Sequence, residues 1–183
     1  MNNDIAVKDD GIKLFTKKES WFKFSAKVMI VLGIMFLSAV AFFTRFTFAA
    51  DPQSVRCIPN YSFYLVDKFD TEVERDELFA FRSKDLKPIY EKGTKMIKFL
   101  RAMPGDAVEI NKNNKIYINN QLYATGLMWA QEKLGQPDSY FQGKTTLAKN
   151  QYWFLGTSEK SFDSRYWGTV SHEDIIGRVY PIF

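Results

Sequence analysis

KMIKFLRAMPGDAVEINKNNKIYINNQLY, residues 95–123, is the stretch that decides the fold. It holds four short apolar runs, Lys95 to Leu100, Ala107 to Ile110, Lys115 to Ile118 and Gln121 to Tyr123, separated by Pro, Gly, Asp and Asn. Short runs rich in β-branched and aromatic residues and bounded by turn formers read as strands. Asn119-Asn120, between two of them, suits a two-residue hairpin. Outward from this stretch, Ser62 to Val66, Leu78 to Phe81, Gln151 to Leu155 and Ile175 to Val179 carry the same signature. Beyond residue 51 the only helical period is a weak one near Ala130 to Leu134. That part of the chain is expected to be mainly β.

The 183 residues, 46% hydrophobic and 16% aromatic, leave room for one membrane anchor and one globular domain. A net charge of +4, with 25 Lys and Arg against 21 Asp and Glu, and no basic stripe, argue against a nucleic-acid partner. Val28 to Phe43, VMIVLGIMFLSAVAFF, carries no charge, and a second apolar patch, Phe46 to Ala50, follows Arg45. With Arg45 reaching to the far interface, this length suffices for a spanning helix. Lys8, Lys13, Lys17, Lys18, Lys23 and Lys27 precede it, whereas Arg45 is the only basic residue between Lys27 and Arg56. The positive-inside rule then gives a cytoplasmic tail (1–20), a transmembrane signal anchor (21–50) and an extracytoplasmic domain (51–183), expected at a bacterial inner membrane with the domain in the periplasm. Ala49 and Ala50 raise the alternative of a cleaved signal peptide. The long polar leader and Phe48 at the first small-residue position favour an uncleaved anchor.

Cys57, in Arg56-Cys57-Ile58-Pro59, is the sole cysteine and cannot close an intramolecular disulfide. A lone Cys is most often a small buried hydrophobe; otherwise it is a nucleophile. Lys98 interrupts the run Met96-Ile97-Lys98-Phe99-Leu100, and at strand period it faces with Met96 and Leu100. A lysine held among such neighbours loses hydration, which disfavours its ammonium form and makes it a candidate base. An edge-strand lysine reaching to solvent is the ordinary alternative. Pro104-Gly105-Asp106 by itself is ordinary turn chemistry.

Taken together these segments resemble the signal peptidase I superfamily. Lys98 stands six residues before Pro104, as the base lysine of that superfamily stands before its Pro-Gly-Asp turn. Gly156 followed by Ser161-Phe162-Asp163-Ser164-Arg165-Tyr166-Trp167-Gly168-Thr169-Val170 is similar to its closing motif. The departures are Phe99 and Ala102 in the first segment and, in the second, Thr157-Ser158 with a link to Ser161 one residue shorter. Cys57-Ile58-Pro59 and Thr157-Ser158 look closest to the TraF-type conjugative pilin-processing branch, with Cys in place of the nucleophilic Ser. The resemblance implies a signal-peptidase-like coiled antiparallel sheet or barrel core, and a Cys/Lys endopeptidase or transpeptidase acting in pilin maturation. In it Cys57 attacks, Lys98 is the general base, Ser161 orients Lys98, and Asp163 and Arg165 pair to brace the site. The implied partners are a pilin or other precursor, the bilayer and a conjugative transfer apparatus. No cofactor is expected, and one Cys and one His at unrelated positions make no metal site.

Ser54 is the rival nucleophile, at a spacing that matches neither form of the motif. His172, the only histidine, would offer a Cys-His dyad but falls in a turn of the family pattern. The segment 126–146 matches nothing in the family and reads as a loop or small subdomain. Two other functions remain open on sequence, a general type I signal peptidase and a catalytically inactive anchored scaffold of the transfer apparatus.

Overall fold

The computed structural model of the protein describes residues 20–51, Ile58 and 60–183. The tail before Ser20 and the Ser54, Cys57 and Pro59 positions lie outside the described residues. The chain divides into two compact units, 1–41 and 42–183. The described part of the first unit is the body of helix α1, Trp21–Arg45, 25 residues with none buried. At the usual rise it is about 37 Å long, more than the ~30 Å hydrocarbon core of a bilayer. Among the described residues it is the one helix long and apolar enough to cross a membrane.

The second unit is built on two antiparallel sheets. The larger contains β1 (Phe46–Ala50), β2 (Phe63–Asp67), β3 (Leu78–Arg82), β4 (Lys95–Ala102), β9 (Gln151–Leu155), β10 (Val170–Ser171) and β11 (Ile175–Pro181), in the order β1-β2-β11-β3-β4-β9-β10. The smaller contains β5 (Ala107–Ile110), β6 (Lys115–Ile118), β7 (Gln121–Thr125) and β8 (Gly143–Thr146), in the order β7-β6-β5-β8. The mainly β expectation holds, and each strand expected from the sequence is present. Asn119 and Asn120 have φ of 49° and 67°, the left-handed pair that a tight hairpin between β6 and β7 needs.

The expected anchor ran through residue 50, but the helix stops at Arg45 and residues 46–50 form β1, paired along its length with β2. The cause is local. Arg45 donates to Asp67 from Nε (3.0 Å) and Nη2 (2.6 Å), and its carbonyl accepts from Lys68 N (2.9 Å). The chain is thereby turned into register with β2, where the aromatic and β-branched residues Phe46, Thr47 and Phe48 favour a strand. The Arg45 hydrogen bond holds the buried Asp67 carboxyl below its usual range.

Alternation along β4 sends Met96, Lys98, Leu100 and Ala102 into the interior, with Ile97, Phe99 and Arg101 half-buried on the other side. Met96 and Leu100 pack with Phe79, Phe81 and Phe154 in one core cluster. Ile97 and Phe99 pack against another that holds Ile58, Tyr64, Val66, Leu78, Ala80 and Val179. A third cluster joins the inward residues Val108, Ile110, Ile116 and Ile118 of the small sheet to Trp153 and Leu155 of β9. At Gly177 a Cβ would lie 2.0 Å from the Asp67 carbonyl oxygen, so only glycine admits the close passage of β11 against β2.

Candidate active site

Lys98 lies in the middle of the large sheet, between β3 and β9, so it is no edge-strand lysine. It pairs in register with Phe79 and is 6% exposed. On β9, Phe99 pairs with Leu155 and Leu100 with Phe154. One further step of that register sets Lys98 level with Gly156, where β9 gives way to the closing segment.

The closing segment is anchored by Asp163, the N-cap of the short helix α3 (Ser164–Trp167). Asp163 has an extended backbone, φ −142° and ψ −164°, and its carboxylate accepts from the Arg165 amide at 3.3 Å, the capping bond that favours Asp at this position. The same carboxylate accepts from Gly156 N at 2.9 Å and from Arg165 Nε and Nη2 at 2.8 Å each. Both side chains of this ion pair are 0% exposed, which excludes an exposed surface turn. Arg165 also donates from Nη1 to the carbonyls of Thr125 and Gly126, and from Nη2 to those of Ser158 and Ser161. One buried guanidinium therefore ties the closing segment to the end of β7. Removing one partner of a buried pair strands the other charge, a loss of about 3–5 kcal/mol. Asp163→Ala is therefore expected to lower Tm by about 6 °C or more in detergent, followed by circular dichroism. Asp163→Asn, which keeps an acceptor for Gly156, should recover part of that. A Tm equal to that of the parent would show that the pair carries no such weight.

Ser161 sits within this brace. Its amide donates to Ser158 O at 3.0 Å and its carbonyl accepts from Arg165 Nη2 at 3.2 Å. The residue is 0% exposed, and its hydroxyl has no hydrogen-bond partner among the described residues. Leaving a buried hydroxyl unmatched costs about 1–3 kcal/mol. Two backbone hydrogen bonds thus hold Ser161 in the segment that follows β9, while its hydroxyl stays uncommitted among the described residues.

The Pro-Gly-Asp turn is a joint between the two sheets. Asp106 accepts from Met103 N (2.7 Å) and Asn119 Nδ2 (2.7 Å), and Arg75 Nη2 lies 2.8 Å from its Oδ2. Burial pushes its carboxyl up, but these donors outweigh burial and hold it below the usual range. Gly105, at φ 91°, supplies the left-handed step.

His172 starts a single 3-10 turn beyond β10, two strands from β4, with its ring 5.9 Å from that of Tyr152. The structure does not bring it to Lys98. Of the segment 126–146, β8 completes the small sheet and α2 (Trp129–Leu134) packs by Ala130 into the cluster holding Phe162 and Tyr166. Trp129 and Tyr166, which sequence reasoning left without a site role, meet here: Trp129 N donates to Tyr166 Oη at 3.2 Å. Nothing local in the sequence announced this contact, since 37 residues separate the partners.

Comparison with known proteins places the chain in a family. The profile of the family described as signal peptidase, peptidase S26, matches residues 20–183. A Synechocystis sp. protein named "Probable signal peptidase I-2" is 31% identical over 111 residues, covering 60% of this chain and 48% of that protein. Signal peptidase I of Pseudomonas aeruginosa is 25% identical over 169 residues, covering 66% and 58%. Thylakoidal processing peptidase 1, chloroplastic, of Arabidopsis thaliana is 27% identical over 172 residues, covering 84% and 45%. The chain spans about half the length of these curated relatives. The matched span runs from the helix through Lys98 to the closing segment, and on it this chain belongs to the signal peptidase family, peptidase S26.

Proposed function

We propose that this protein is a membrane-anchored endopeptidase that cleaves a membrane-delivered precursor through a Cys57 nucleophile and a Lys98 base. The observation that carries the reading is the buried Ser161 hydroxyl, without a hydrogen-bond partner among the described residues, on a backbone pinned by Arg165 in the segment that follows β9, the strand paired with the one that holds the buried Lys98. A neutral amine held by a hydroxyl is aimed without being recharged by a carboxylate. Ile58, one peptide bond from Cys57, is 5% exposed in the cluster against which Ile97 and Phe99 pack, on the face of β4 opposite Lys98.

In the reaction the Lys98 amine takes the Cys57 thiol proton and the sulfur attacks the scissile carbonyl carbon. The Cys57 backbone N–H is the natural donor to the resulting oxyanion. Collapse breaks the C–N bond, and the Lys98 ammonium returns its proton to the leaving amine. The thioester is then released to water, or to an amine to give a joined or cyclic product. α1 keeps the domain at the bilayer, and the lysines before it set the amino terminus in the cytoplasm, with the domain on the outer, periplasmic face of an inner membrane.

Within this reading the substrate is a conjugative pilin precursor, on the strength of Cys57-Ile58-Pro59 and Thr157-Ser158, with the transfer apparatus as a further partner. A general signal peptidase is the second reading, supported by the names of the Synechocystis and Pseudomonas relatives.

The full chain in lipid vesicles, offered a pilin precursor and a signal-peptide precursor in turn, tests the proposal. A thiol-alkylating reagent should add one label, at Cys57, and stop cleavage, while serine-directed reagents do neither. Labelling with cleavage intact would remove Cys57 from the mechanism. Cleavage of the signal-peptide precursor alone would select the second reading, and cleavage of neither the inactive scaffold.

A further inference from the structure

We infer that Trp129 is a positioning residue for cleavage, holding the Ser161 hydroxyl in place through the Lys160–Ser161 peptide. This rests on the reading of Ser161 as the partner of Lys98. Trp129 is the first residue of α2, in the segment without a counterpart in the motifs. Its indole Nε1 donates to the carbonyl of Lys160 at 2.8 Å, and its own amide donates to Tyr166 Oη at 3.2 Å. One residue thus grips the closing segment on both sides of Ser161, at Lys160 and at Tyr166. The Lys133 ammonium, 3.8 Å from the indole ring centroid, holds the ring from one face.

The bond to Lys160 governs the hydroxyl directly. The Ser161 carbonyl is held by Arg165 and its amide by Ser158 O, so that peptide's carbonyl is the remaining handle on the residue. Without the indole N–H, the Lys160–Ser161 peptide can tilt and carry Cβ and Oγ with it. The bond is solvent-exposed, so Lys160 O regains water when the indole donor goes and stability changes little. Catalysis is less forgiving, because a displacement of about 1 Å in a catalytic constellation can cost about 10²-fold.

Trp129→Phe, which keeps a ring for packing and removes only the donor, is tested in the full chain in vesicles against a cleavable precursor. The expected result is about a 10-fold fall in kcat with KM unchanged and a Tm within about 4 °C of the parent. In a Ser161→Ala background the same substitution should cost nothing further, since there is no hydroxyl left to position. An unchanged kcat in Trp129→Phe overturns the inference, as does an equal fall in both backgrounds, which would make Trp129 independent of Ser161. Full activity in Ser161→Ala alone would instead refute the role of Ser161 on which the inference stands, an outcome seen without Trp129 being changed.

Discussion

Cys57→Ala is expected to abolish precursor cleavage, by about 10⁴-fold or more, since loss of the nucleophile leaves only binding and oxyanion stabilisation. No other thiol exists in the chain to take over. Cys57→Ser separates the chemistry of the two atoms. A free thiol near pKa ~8.5 yields its proton to an amine base far more readily than a hydroxyl does, so the Ser variant should cleave more slowly than the parent and escape alkylation. A thioester is also more receptive to amines, relative to water, than an oxygen ester. If the parent joins the new carboxyl end of a small pilin to its own amino terminus, intact-mass analysis will show a product lighter than the linear one by one water, and the Ser variant should shift toward the linear mass. Cleavage at the parental rate by Cys57→Ala would eliminate the assignment, and loss on Ser54→Ala instead would transfer it to Ser54.

Lys98→Met and Lys98→Arg should be equally inactive, each down by about 10²–10⁴-fold, the range spanned by general acid–base catalysis. The Arg variant is the sharper of the two. It preserves the positive charge, yet guanidinium stays protonated at every working pH and cannot accept the thiol proton. A role confined to charge pairing would survive that exchange; a proton-accepting role would not. The site is also tight, with Lys98 opposite Phe79 and 6% exposed, so both variants need a Tm measurement alongside the rate. An inactive variant that melts with the parent supports the base. Substantial turnover by Lys98→Arg would rule it out, and loss of activity on His172→Ala alone would point to a Cys-His dyad.

How far the chain could be read without its fold depends on the range of the interactions involved. The strands from Lys95 to Tyr123 were legible because a strand is written in adjacent residues, by alternation and by the turn formers between runs. The hairpin at Asn119-Asn120 was legible for the same reason. The end of the helix was not. Val28 to Ala50 reads as nearly continuous apolar chain, and it divides at Arg45 because Asp67, 22 residues away, is there to receive the guanidinium. Strand β8, all four residues exposed, has no apolar alternation and exists only because β5 offers it a ladder.

The candidate site divides in the same way. Lys98, Ser161, Asp163 and Arg165 could be named from spacing and resemblance, since side-chain chemistry and order along the chain belong to the sequence. Alternation predicted that Lys98 would face with Met96 and Leu100, and it does. Whether that lysine lay at an edge or at the centre of a sheet was a question of strand order, which alternation does not encode; β9 at its other side decides it. The Asp163–Arg165 pair likewise reads in sequence as a turn of either kind, exposed or buried. It is buried because the carbonyls of Thr125 and Gly126 arrive from β7 to satisfy the remaining guanidinium hydrogens. The sequence by itself determined most of the strands, an apolar helix of spanning length and which residues are candidates for the chemistry, all of them local properties. Strand order, the stop at Arg45, the burial of the ion pair and the hold of Trp129 on Lys160 were decided only by the tertiary structure, because each joins groups distant in the chain that meet only once the sheets have packed.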